Sequence, residues 1–174
     1  MENRDYFTDT KISDKYVSFW GGVFSNFYPC KIDAEGETFT SSEQYFMWQK
    51  ARYFRDDVIE MAILDSKTPS QAKKLGRRID GFDEEQWREV RMHAMFNAVY
   101  LKFKQNKNLM DILLDKDISD KNFVEGSPVD KIWGVGIKWD EPEIEDKENW
   151  KGENLLGIVL DTVRAVLSNE KSNN

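Results

Sequence analysis

At 174 residues with 40% hydrophobic side chains, the chain can bury one sizeable core and is short for two, which predicts a single domain over 1–174. A formal charge of −7 excludes a broad, sequence-independent duplex-binding face, because such binding needs many Lys and Arg contacts to phosphate; a local basic pocket stays open. One cysteine, Cys30, excludes an internal disulfide and a thiolate metal cluster.

Along the chain, MENRDYFTDTK is polar and lacks the apolar stretch of a signal peptide, and the longest apolar run, LLGIVL, is far too short to span a bilayer. A cytoplasmic protein without membrane contact is expected. YVSFWGG and VFSNFYPCKI read as aromatic, β-prone segments around a Gly21-Gly22 turn, and EGETFT adds a second turn and a short strand. Helices follow. Thr40 or Ser41 caps the first, with Glu43 or Gln44 at the reciprocal position, and TPSQ starts another with Thr68 as cap and Pro69 at the first helical position. Asp83 begins the longest, where Trp87, Val90, Ala94, Ala98 and Leu101 recur at helical spacing and read as core. NKNLMDILL is a further short helix, NFVEGSPVDKIWGVGIKW returns to strands and turns, and ENLLGIVLDTVRAVL closes the chain as an amphipathic helix. The fold class is α+β, mostly helical, with a few short strands.

Several chemistries lack their residues. The one histidine, His93, lies inside the long helix and reads as structural or surface, so a His-based metal site or a Ser-His-Asp triad has little to build on. There is no phosphate-binding P-loop, and GVG at 134–136 lacks the context of a dinucleotide fingerprint. No metal and no cofactor is expected. Carboxylates, basic residues and aromatics remain.

Glu43 and Lys50 are seven residues apart, nearly two helical turns, so both project from one face about 10 Å apart along the axis. Glu43 sits in the first turn, where free N–H groups and the macrodipole favour its ionised form. The plain alternative is a capping Glu and a snorkelling Lys beside a core helix. Ser25 and Asn26 in FSNFYP make a turn or a stacking and hydrogen-bonding platform, and Lys73, Lys74, Arg77 and Arg78 make a solvated face or a phosphate contact. EGSPVDKIWGVG gathers Glu125, Asp130 and Trp133 among Gly126, Pro128, Gly134 and Gly136, more acid and indole than a turn requires.

FSNFYP, SSEQYFMWQKA, AKKLGR, VEGSPVDKIWGVG and KGENLLG stand in the order and approximate spacing of the NADAR (YbiA-like) N-glycosidases, and the chain resembles that family over roughly residues 17–167. The resemblance implies a compact, mostly helical α+β domain that hydrolyses the N-glycosidic bond between a ribose phosphate and a base. It implies two substrate types, phosphoribosylamino-pyrimidine intermediates of riboflavin synthesis and ADP-ribose on guanine, the latter free or within nucleic acid. Carried onto this chain, it assigns catalysis to Glu43, Lys50 and Asp130 and substrate binding to Asn26, Arg77, Trp87, Glu125, Trp133 and Gly134. Lys50 then either hydrogen-bonds the sugar as a cation or attacks the anomeric carbon to give a Schiff base. The chain departs from the family at Gln44, where many members carry His and where no proton transfer is assigned, and in the longer, more acidic IKWDEPEIEDKENW. The rival reading is a non-catalytic nucleotide or ADP-ribose binding module; oligomeric state is left open.

Overall fold

The computed structural model describes residues 6–173, which pack as two units: one takes the chain up to Tyr28 and again from Lys107 onward, the other spans Pro29–Asn106. The second unit opens with a hairpin of β3 (Ile32–Ala34) and β4 (Glu37–Phe39). Glu35 and Gly36 turn it with φ of 54° and 88°, the two left-handed residues of the turn that matches strand twist. Ile32 pairs with Phe39, and both are fully buried.

Four helices follow, α1 (Ser42–Tyr53), α2 (Asp57–Leu64), α3 (Pro69–Gly76) and α4 (Glu84–Gln105), and α1 packs against the other three. That central position explains its sequence. Every residue from Ser41 to Trp48 is buried, the polar Ser41, Ser42, Glu43 and Gln44 as well as the apolar Tyr45 to Trp48, as in a helix covered on every side. The expected caps form at Ser41, Thr68 and Asp83, each accepting a backbone N–H from Gln44, Gln71 and Gln86 respectively. The core stripe of α4 is only partly as expected. Trp87, Ala94 and Ala98 are buried, but Val90 and Leu101 are half-buried, while Arg91 and Lys102 lie inside. A hydrophobicity pattern discounts basic residues, yet their long stems cover apolar surface. His93 is exposed.

In the first unit a three-stranded sheet runs in the order β1 (Thr10–Ile12), β2 (Tyr16–Phe19), β5 (Asn122–Glu125), with β1 antiparallel and β5 parallel to β2. Phe24 packs between Phe19 and Phe123 in tilted pairs at centroid distances of 5.8 and 4.7 Å. The closing helix α6 (Leu155–Ser172) lays Leu156, Val159, Leu160, Val163 and Leu167 inward, and α5 (Lys107–Leu113) adds Leu109 and Leu113. The β-prone reading of VFSNFYPCKI is corrected: Gly22 to Tyr28 is a run of turns. Ser25 N–H donates to Gly22 O, Tyr28 N–H to Ser25 O, and Ser25 Oγ accepts from Phe27 N–H, local bonds that compete with a ladder. Likewise only Asn122–Glu125 of the stretch 122–139 is a strand.

The acidic segment folds back on this sheet. Ile144 is fully buried with Val124, Val135 and Ile137, Trp150 donates its indole N–H to Ile144 O, and Ser18 Oγ donates to Trp139 O at 2.8 Å. Glu145 accepts from Ser13 Oγ, while Asp140, Glu141, Glu143 and Glu148 face water. No helix among the described residues is long and apolar enough to cross a membrane.

Candidate active site

Each unit carries part of the expected residue set. In the helical unit the set is built on α1. Ser41 Oγ accepts from Gln44 N–H at 3.1 Å, and the Gln44 amide in turn accepts from Thr40 N–H at 2.8 Å and donates to Ile63 O at 2.9 Å and Leu64 O at 3.2 Å. The amide therefore bolts the start of α1 to the end of α2. Glu43, one residue earlier, is 5% exposed in the first turn, where helix N–H groups point.

Two turns on, Lys50 is half-buried and its Nζ donates to the Gly76 carbonyl at 3.1 Å. That contact depends on how near α3 comes to α1: a Cβ on Gly76 would lie 2.2 Å from Met47 Sδ. Burial pushes the Lys50 amine below the usual lysine range, while Glu84 and Glu43 pull it back up. Glu43 and Lys50 thus feel each other's charge, as their spacing on one face implies. Trp87 is 6% exposed, with ring centroids of Phe46 and Tyr53 at 5.5 and 6.0 Å. Arg77 is the C-cap of α3 and is exposed.

In the other unit, β5 delivers Glu125 into the loop that holds Asp130, Trp133 and Gly134. Asp130 N–H donates to Ser127 Oγ at 3.0 Å, and Asp130 Oδ1 accepts from Ile132 N–H at 3.0 Å and Trp133 N–H at 2.9 Å. This Asx-type turn fixes the carboxylate and the backbone of the Trp that follows it. Gly134 has no room for a side chain: a Cβ would stand 2.8 Å from Glu125 O and 3.0 Å from Asp130 O. The start of α6 closes the loop, because Leu155 and Leu156 donate to the carbonyls of Ile132 and Trp133, so two orphan helix donors fix the loop.

Asn154, with a left-handed φ of 55°, clamps the arrangement. Its Oδ1 accepts from Glu125 N–H and its Nδ2 donates to Phe123 O, both at 2.9 Å. Asn154 lies within KGENLLG, and the tolerance of Asn for left-handed backbone is the signal in the sequence that points to it. Asn26 is 7% exposed in the turn of residues 22–28. Among the described residues, no three His, Cys, Asp or Glu side chains are grouped to hold a metal ion.

Comparison with known proteins shows the family and the fold. The NADAR domain model matches residues 16–168. Protein irg-1 of Caenorhabditis elegans is 38% identical over 161 residues, 83% of this chain and 75% of its own. N-glycosidase R617 of Acanthamoeba polyphaga mimivirus is 35% identical over 165 residues, 87% of this chain and 96% of its own. The NMR structure of the E. coli protein YbiA superimposes with a TM-score of 0.77 at 28% identity, covering 100% of this chain and 97% of that one.

Proposed function

Since the chain belongs to the NADAR family, we propose that it is a hydrolase acting on N-glycosyl bonds, and that its substrate joins a ribose phosphate or ADP-ribose to a base. The observation that carries the reading is the pairing on α1: a carboxylate and an amine, one buried and one half-buried, coupled through their charges on one helix face. Breaking a ribosyl C–N bond develops oxocarbenium-like positive charge on the sugar, which a fixed carboxylate stabilises without reorganising. Glu43 takes that part. Asp130, its carboxylate held by backbone N–H groups, assists departure of the base, with Glu125, Trp133, Trp87 and Asn26 contacting base and sugar, Gly134 shaping the loop and Arg77 meeting phosphate.

Lys50 donates to the ribose as a cation in this scheme. A second reading is favoured by one fact, the burial that lowers its pKa. A free Lys50 amine would form a bond to the anomeric carbon while the bond to the base breaks, the electron pair leaving on the base nitrogen, which takes up a proton. Ring opening leaves a Schiff base, and water then hydrolyses it to return the amine. Borohydride added during turnover traps a sugar adduct on Lys50 only by this route, and Lys50→Arg abolishes it because guanidinium stays protonated.

The test of the whole is chromatography of released base after incubation with a phosphoribosylamino-pyrimidine or with ADP-ribosylated guanosine. Base release that Glu43→Gln suppresses is expected. Tight binding of either compound without release would establish the binding module instead.

A further inference from the structure

Lys50 is held by a group to which no role has been given. Its Nζ lies 3.9 Å from the centroid of the Phe82 ring, with the Trp87 ring farther off at 5.9 Å, while it donates to Gly76 O. Phe82 directly precedes the Asp83 cap of α4 and Trp87 stands four residues beyond that cap, the two positions that pair in a hydrophobic staple. The Lys50 ammonium shares both rings. Phe82 is 42% exposed, and its ring meets Phe54 edge-on at 5.3 Å, so packing holds the ring whose face the ammonium covers.

We propose that Phe82 is a positioning residue for Lys50: its ring face and the Gly76 carbonyl together fix the ammonium group and set how readily it gives up its proton. A cation over an aromatic face is attracted by the ring quadrupole, and a neutral amine is not, so the ring favours the charged form. Burial works the other way. Their balance decides which of the two roles of Lys50 is open at a given pH.

Other charges stand on the surrounding elements. Glu43 lies on α1 itself; α4 carries Glu84, paired with Arg91 at 3.2 Å; α2 carries Asp57 and Glu60, the latter 3.8 Å from Arg52. Helix α3 carries Lys73 and Lys74 with Arg77 at its C-cap, and in the turn that follows it Asp80 and Asp83 accept backbone N–H groups. None of these side chains changes when Phe82 is replaced, so the ring's effect can be read by itself.

The inference rests on Lys50 having a part in the proposed reaction, but its primary test does not need turnover. Competitive labelling with acetic anhydride at graded pH, read by mass spectrometry on the Lys50 peptide, follows the ionisation of this amine. Phe82→Leu keeps apolar packing on Phe54 and removes the ring, so Lys50 is expected to titrate roughly half to one pH unit lower, the other lysines being unmoved. Phe82→Trp, with a better π-face, is expected to match or exceed the wild type. An unchanged Lys50 in a folded Phe82→Leu overturns the proposal. Should the leucine variant fail to fold, the Trp variant decides: Lys50 titrating below the wild-type value overturns it. In a base-release assay the alkaline limb of kcat/KM moves with the labelling curve. Labelling that shifts without any base release on either substrate would refute the glycosidase reading and leave the positioning role standing.

Discussion

In the helical unit Glu43, Arg91 and Lys102 are 5%, 6% and 1% exposed on regular helices, whereas in the other unit Asp130 is half-buried in an irregular loop and is held by the N–H groups of Ile132 and Trp133. The helices hold charge by packing, and the cost appears as displaced ionisation: burial pushes Lys50 down and Lys102 down to about 8. The loop holds charge by hydrogen bonds, which orient a carboxylate without taking it far from water. Rigid packing suits groups whose charge is to be tuned, and backbone chelation suits a group that must point.

That contrast can be broken most forcefully at Glu43. Glu43→Gln is nearly isosteric, so packing survives while the charge is lost; base release is expected to fall at least about 100-fold with little change in melting temperature. An unfolded or fully active Glu43→Gln would make the turn a structural one and end its catalytic assignment.

Lys102 tests the cost of packing. Its folded pKa lies below that of the unfolded chain, so between about pH 8 and 10.5 the unfolded state binds the extra proton and the contribution of Lys102 to stability rises with pH through that window, against the opposing contribution of Cys30, whose thiol burial pushes up. The gain is on the order of 3 kcal/mol, and denaturant melts of Lys102→Met should show it flattened. An identical rise in that variant would assign the slope elsewhere.

The loop should behave differently. Asp130→Ala strips the acceptor from two N–H groups and is expected to cost about 2 kcal/mol, whereas Asp130→Asn keeps an acceptor, stays within about 0.5 kcal/mol of the wild type and still loses at least about tenfold in activity. Equal melting temperatures for the two variants would show that the Asx turn is not what holds the loop. The smallest effect is expected at the cap: Ser41→Ala loses one bond to Gln44 N–H and about 1 kcal/mol, since packing on three helices carries the rest of α1. A loss several times larger would mean that the cap, rather than burial, holds Glu43.

What the sequence by itself determined is local. Ser41, Thr68 and Asp83 announce their helices because a cap is a contract between residues three apart, and EGETFT announces a turn and a short strand because Gly36 accepts a left-handed φ that few residues do. The α+β class and the shared face of Glu43 and Lys50 follow from periods of that kind. Only tertiary structure decided the rest. Arg91 and Lys102 went inside because their long stems cover apolar surface where α4 packs. Phe82 met Lys50, Gly76 opened its carbonyl to it, and Asn154 tied Glu125 to the start of α6 across 29 residues of chain. Such contacts are chosen by which surfaces close over one another. That choice is a property of the whole packed unit, so no window of neighbouring residues contains it.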